Sequence, residues 1–336
     1  MKRWFRFVFG IIILGLVIYV LKDIDFRELY LLLETANLWF VLLAFLSIIF
    51  TFFVWALRRT YSSINEFKGN FWFFLNVILA GAFFGLITPG AGVGGELARA
   101  HFMAKRYKQP KTKMLAYAIG DKFFQLIVLA FFGIFSVLFV LFYVNISNTL
   151  QIILQSVLTV TVIALIMVSY FIFKKHKTNI GFLFKKLHVF DFIKKRFKKP
   201  KDFEKYINLK AHEFLSIFRQ SIKHKRGLFF GIFLSIIFWM LNYLSAYFIF
   251  LAFNQHVNFL SVIIVVTLGS IIADLSLFPG GVGFAEVSMT LLYSGMGIAI
   301  PLALLVALLT RIIYYIIALG IGGLSLLYVR KVVHEK

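Results

Sequence analysis

Long apolar runs recur along the chain, separated by short stretches in which lysine and arginine collect. Such runs predict membrane-crossing helices, because a hydrocarbon core about 30 Å thick takes roughly 20 residues of helix. Full spans are expected at Phe7–Leu21, Leu38–Leu57, Met114–Tyr143, Leu150–Phe173, Gly227–Phe253 and Ala299–Tyr328. Two other apolar runs, Asn70 to Thr88 and Phe259 to Phe278, end in glycine clusters: TPGAGVGGELAR from Thr88 to Arg99, and FPGGVGFAEVSM from Phe278 to Met289. In each, a proline (Pro89, Pro279) precedes a glutamate (Glu96, Glu286) by seven residues, and the offset between the copies is 190. Asp121 and Arg311 each follow their glutamate by 25 residues, so the repeat extends into the next apolar run.

Proline and glycine interrupt helices, and interrupted backbone at membrane depth survives only where protein buries it or water lines it. The segments after the glycines are too short to cross, and the first pair has positive charge on both flanks. Each pair therefore reads as a re-entrant hairpin, one from each side of the membrane. The expected fold is an all-α polytopic membrane protein: an inverted repeat with two re-entrant helical hairpins and about six full transmembrane helices. The expected units are 1–37 (first helix and outer loop), 38–143 (repeat A), 144–173 (linking helix), 174–227 (basic cytoplasmic insert) and 228–336 (repeat B). Paired interruptions of this kind point to a transporter site near the midplane.

Composition agrees, with 61% hydrophobic residues, 43 phenylalanines and only 15% charged residues in 336. The formal net charge of +22 raises the question of nucleic acid, but the basic residues lie between the apolar runs. A cytoplasmic bias and anionic lipid explain them, so no nucleic acid is expected. Both termini should be cytoplasmic in a multi-pass protein of the cell membrane. The chain has no cysteine, which removes disulfides, thiol nucleophiles and cysteine metal sites. From Lys174 to Arg226 there are 17 basic residues against four acidic ones. That insert suits either helices lying on anionic lipid, a solvated loop, or a dock for a cytoplasmic partner.

Ionisable groups at membrane depth cost about 2.5 to 3.5 kcal/mol each on insertion scales, so they call for partners or a task. They are Glu96, Arg99, Asp121, Lys122, Asp274, Glu286 and Arg311. Asp121 and Arg311 occupy equivalent repeat positions with opposite charge and are expected to pair across the pseudo-twofold axis. Glu96 and Arg99, three apart, suit a local pair. Gly90, Gly92, Gly94, Gly95, Gly280, Gly281 and Gly283 either permit close helix packing or expose N–H groups at a helix amino end, where anions bind. His101 suits an interfacial helix position. No metal or cofactor is expected, and no catalytic serine set or nucleotide-binding loop is present in the pattern.

PGAGVGGELARAHFMAKR with the Asp121 segment, and FPGGVGFAEVSMTLLY with the Arg311 segment, resemble the lysylphosphatidylglycerol synthase transmembrane-region family of flippase-like integral membrane proteins. The resemblance covers nearly the whole chain from Leu38. It implies a translocase for a phosphate-containing lipid, either aminoacylated phosphatidylglycerol or a polyprenyl-phosphate-linked lipid. Glu96, Arg99, Asp121, Glu286 and Arg311 would stand at the family's polar positions, and Lys122 where many relatives carry arginine. An end at Lys336 leaves no room for the synthase's soluble aminoacyltransferase domain, so transport is expected before tRNA-dependent lysyl transfer. A lipid-modifying enzyme or its subunit, and a membrane scaffold, are the other readings.

Overall fold

In a computed structural model of the chain, the described residues are 34–63, 70–88, 92–143, 155, 156, 159, 163, 200–223, 225–276 and 278–334. The expected span Phe7–Leu21 lies outside them, as does nearly all of Leu150–Phe173 and of the insert before residue 200. All regular structure among the described residues is helical. Helix α1 covers Leu38–Ser63, α2 Phe71–Ile87, α3 Val93–Arg106 and α4 Lys111–Tyr143. Helix α5, Pro200–Lys223, precedes a second set: α6 Lys225–Ala252, α7 Phe259–Leu275, a 3-10 turn Pro279–Gly281 and α8 Phe284–Gly295. Last comes α9, Ile300–Tyr315, which passes through a π-helical segment, Ile316–Ile321, into α10, Gly322–His334.

Four segments are long and apolar enough to cross a membrane: Leu38–Tyr61, Lys111–Phe142, Gly227–Ala252 and Ile300–Val333. Their outward faces stay greasy. Phe131 is 70% exposed and Phe142 78%, which suits lipid and not water. The chain is an integral membrane protein. Its last apolar helix runs on past the expected end at Tyr328, because nothing after Gly322 breaks the backbone pattern.

Helices α2 and α7 have 17 residues each, or about 26 Å. Both start on an asparagine cap whose side chain accepts an N–H two residues on, Asn70 from Trp72 and Asn258 from Leu260. Both stop where the backbone turns extended, at Thr88 and Ser276. Helices α3 and α8, 14 and 12 residues long, fold back against α2 and α7 respectively. The long helices complete the frame: α1 packs against α6, α2 against α10, and α4 against α7.

Contacts in one half have counterparts in the other. A Cβ on Gly81 of α2 would run into the Arg99 side chain of α3, and one on Gly269 of α7 into Met289 of α8. Gly133 of α4 faces Ile271 of α7, and Gly323 of α10 faces Phe83 of α2. These pairs also correct the register. The offset is 190 in the helices after the proline, but Asn70 matches Asn258, Gly81 matches Gly269 and Phe83 matches Ile271 at 188. Two extra residues, Leu277 and Phe278, stand between α7 and its proline.

Candidate functional site

Both halves contribute walls to one cavity of about 220 Å3 of water-accessible volume. Helix α1 gives Thr51 and Trp55, and α6 gives Trp239 and Asn242. The charged groups come from the broken segments and their neighbours: Glu96 and Arg99 of α3, Lys122 of α4, Asp274 of α7 and Arg311 of α9. Three cations thus meet two carboxylates at one place inside an apolar bundle. Gly81 and Gly85 of α2, Gly92, and the turn residues Gly280 and Gly281 line the same cavity.

In the first half the expected local pair is present: Arg99 Nη1 donates to Glu96 Oε1 at 2.5 Å, and both residues are buried. The guanidinium also sits 4.1 Å from the Trp55 ring centroid, a cation–π distance. Arg99 reaches that ring by crossing α2 where Gly81 has no side chain. Its Nε is buried without a hydrogen-bond partner.

Asp121 does not meet Arg311. It accepts from Arg58 Nε at 2.9 Å, Arg58 Nη2 at 3.2 Å and Trp55 Nε1 at 2.8 Å. Arg58 in turn donates from Nη1 to Ser235 Oγ at 2.8 Å, so this pair ties α1, α4 and α6 together. The expectation of a pair across the axis is therefore corrected: α1 carries its own arginine into the bundle and satisfies Asp121 first. Arg58 and Arg59, which read as flanking charges at the end of a span, are 1% and 4% exposed. Arg59 donates to the Tyr117 carbonyl at 2.5 Å. The signal that was there is spacing, since Trp55 and Arg58 stand three apart on one face of a helix that continues to Ser63.

The second half is built differently. Glu286 Oε2 accepts the N–H of Gly283 at 2.7 Å, which caps its own helix. Its Oε1 accepts from Arg311 Nε at 3.3 Å and from the Tyr315 hydroxyl at 3.1 Å. Arg311 Nη2 donates to the Gly280 carbonyl. One of the N–H groups at the amino end of α8 is thus already used. At α3 the cap is Gly92, with φ 69° and no side-chain cap, and it faces the cavity.

The remaining glycines divide along the same lines. Gly95 lets α3 approach α2, since a Cβ there would meet the Gly81 carbonyl at 2.5 Å. Gly94 lies against the Thr88 side chain, and Gly281 against Ala273. Gly280 and Gly283 have φ of 61° and 85°, open to glycine at little cost. Pro89 and Gly90 lie outside the described residues, and Pro279 opens the 3-10 turn. His101 stands half-buried on α3 beside Phe102.

The sequence matches, over residues 5–322, the family described as "Lysylphosphatidylglycerol synthase TM region". Among curated proteins it is similar to "UPF0104 membrane protein PH1989" of Pyrococcus horikoshii, with 28% identity over 335 residues that cover 98% of each chain. It is also similar to "UPF0104 membrane protein MJ1595" of Methanocaldococcus jannaschii, with 26% identity over 327 residues, 95% of this chain and 94% of that one. A "UPF0104 membrane protein" of Methanothermobacter thermautotrophicus shares 24% identity over 263 residues, 77% of this chain and 76% of the relative.

Proposed function

The chain belongs to the lysylphosphatidylglycerol synthase transmembrane-region family, and we propose that it is a translocase that moves a phosphate-bearing lipid across the bilayer. The observation that carries this reading is the shared cavity, where Arg99, Lys122 and Arg311 converge from both halves inside an apolar bundle. A phosphate headgroup meets cations and the uncapped amino end at Gly92 there, while acyl or prenyl chains stay in lipid. Aminoacylated phosphatidylglycerol and polyprenyl-phosphate-linked lipids both have the required group.

The architecture that accompanies this reading is an inverted repeat. Helices α1 to α4 form one unit and α6 to α10 the other, and the paired helices α2–α3 and α7–α8 are re-entrant hairpins from opposite faces. The matched contacts of Gly81 with Arg99 and Gly269 with Met289 support it. Rocking one unit against the other around the cavity exposes the headgroup to each side in turn. With no native cysteine, sidedness can be read by single-cysteine labelling. Gln255→Cys and Ser294→Cys are expected to react from outside, and Lys105→Cys and Ser216→Cys only from the cytoplasm. Labelling of all four from one face would remove the inversion.

Transport itself is tested in proteoliposomes with labelled phosphatidylglycerol, lysylated phosphatidylglycerol and polyprenyl phosphate. One class is expected to change leaflet with its mass unchanged, and Lys122→Gln is expected to slow it about ten- to a hundredfold, the worth of a hydrogen bond to a charged group. Chemical conversion of the lipid would favour an enzyme. No movement of any class would end the translocase reading.

A further inference from the structure

Four carboxylates lie among the intramembrane charges, and three are held in place. Glu96 is bonded by Arg99, Asp121 by Arg58 and Trp55, and Glu286 by Gly283, Arg311 and Tyr315. Asp274, in the last turn of α7, is the exception. Its side chain lies deep within the bundle yet is exposed to the cavity it lines. No hydrogen bond or ion pair reaches it among the described residues.

The charges that act on Asp274 come from other elements: Lys122 of α4 and Arg311 of α9. Tyr314 of α9 lines the same cavity. From α8 there is only Glu286, engaged by Arg311. From α6 the cavity receives the uncharged Trp239 and Asn242, and α7 itself carries no second charge. Next to Lys122, Asp121 is fully engaged by Arg58.

Lys122 and Arg311 are therefore shared. Without a ligand their positive charges offset part of what burial costs the negative carboxylate of Asp274. An anion that binds them takes over that attraction and adds a negative charge beside the carboxylate, which raises its proton affinity. We infer that Asp274 takes up one proton from water when a phosphate headgroup enters the cavity, so that lipid anion and proton cross as a neutral unit. The inference rests on the translocase reading and names what would drive it. Neutrality matters because a net charge at membrane depth is costly. Glu96 and Glu286, by contrast, are each bonded to an arginine.

The sign follows from linkage. A proton taken up on binding makes binding tighter at low pH, and affinity falls about tenfold per pH unit where one full proton is exchanged. The test is calorimetric titration of the solubilised full chain with a short-chain phosphatidylglycerol, from about pH 5, a unit above the ordinary aspartate value, to about pH 8. A phosphodiester is the right probe because a phosphate monoester would itself titrate near about pH 6. Buffers of different ionisation enthalpy count the protons. The wild type is expected to take up about one proton per lipid, and Asp274→Asn to take up none, with tight and pH-independent binding.

A flat pH profile in the wild type would overturn the inference on its own, whether or not the variant folds. So would an unchanged proton count in a folded Asp274→Asn protein. Absence of phosphatidylglycerol binding at every pH, together with no lipid movement in vesicles, would instead remove the translocase reading and this inference with it.

Discussion

Arg58→Met is expected to destabilise the protein by about 3–5 kcal/mol, the cost of breaking a buried ion pair from one side. Asp121 would lose two of the three side-chain donors that now reach it, at a position only 4% exposed. Ser235 of α6 would lose its donor on α1, keeping only its own bond to the Gly231 carbonyl. The penalty is mostly that of a stranded charge, so Arg58→Met combined with Asp121→Asn should recover the larger part, with Trp55 still donating to the amide oxygen. Unfolding in detergent, followed by helix content for the two single variants and the double, checks this. If Arg58→Met alone costs under about 1 kcal/mol, Arg59 has turned from the Tyr117 carbonyl to Asp121, and the pair is not the fastener between α1, α4 and α6.

That fastener also marks where reading the sequence stopped. Apolar runs of spanning length and glycine-terminated shorter runs are local features, and the described helices follow them to within a few residues. The pairing of Glu96 with Arg99 was legible because both lie on one short helix at i, i+3. The partner of Asp121 was not. Charge order along the chain says that Arg58 and Arg59 follow an apolar run, but not that α1 continues past them between its neighbours. A helix end at the interface and one tucked into the bundle look alike in one dimension. The repeat suggested Asp121 and Arg311 as partners, yet a repeat equates positions and does not put them in contact.

The same limit applied to the acidic residues. Glu96 and Glu286 stood out because the motif repeats them, whereas Asp274 belongs to neither copy of it. In three dimensions the ranking inverts. The repeated glutamates are fixed by bonds within their own hairpins or to the next helix, and the unrepeated aspartate faces the cavity. The repeated glutamates thus serve the packing of their own helices, and on the proposed reading the unrepeated Asp274 is the group that changes state.

Glu286→Gln should show this division most sharply. The wild-type carboxylate does three things at once: it caps α8 through Gly283, accepts from Tyr315, and balances Arg311. A glutamine keeps one oxygen for the cap but presents an amide donor to Arg311 and removes the negative charge. The loss is expected to be about 3 kcal/mol or more, combining a buried unpaired cation with a weakened cap. Glu96→Gln should cost less, because Arg99 retains the Trp55 ring and an open side toward the cavity. Released from Glu286, Arg311 has Asp274 as the remaining carboxylate within its influence. Closing that pair would fill the cavity and remove the free carboxylate. Glu286→Gln is therefore expected to abolish lipid movement even in protein that remains folded, and Arg311→Met added to it should restore stability without restoring movement. Unfolding in detergent and leaflet exchange in vesicles, measured on the same preparations, separate the two effects. Full lipid movement in folded Glu286→Gln would mean that Arg311 stays where it is, and that the cavity does not depend on this glutamate for its shape.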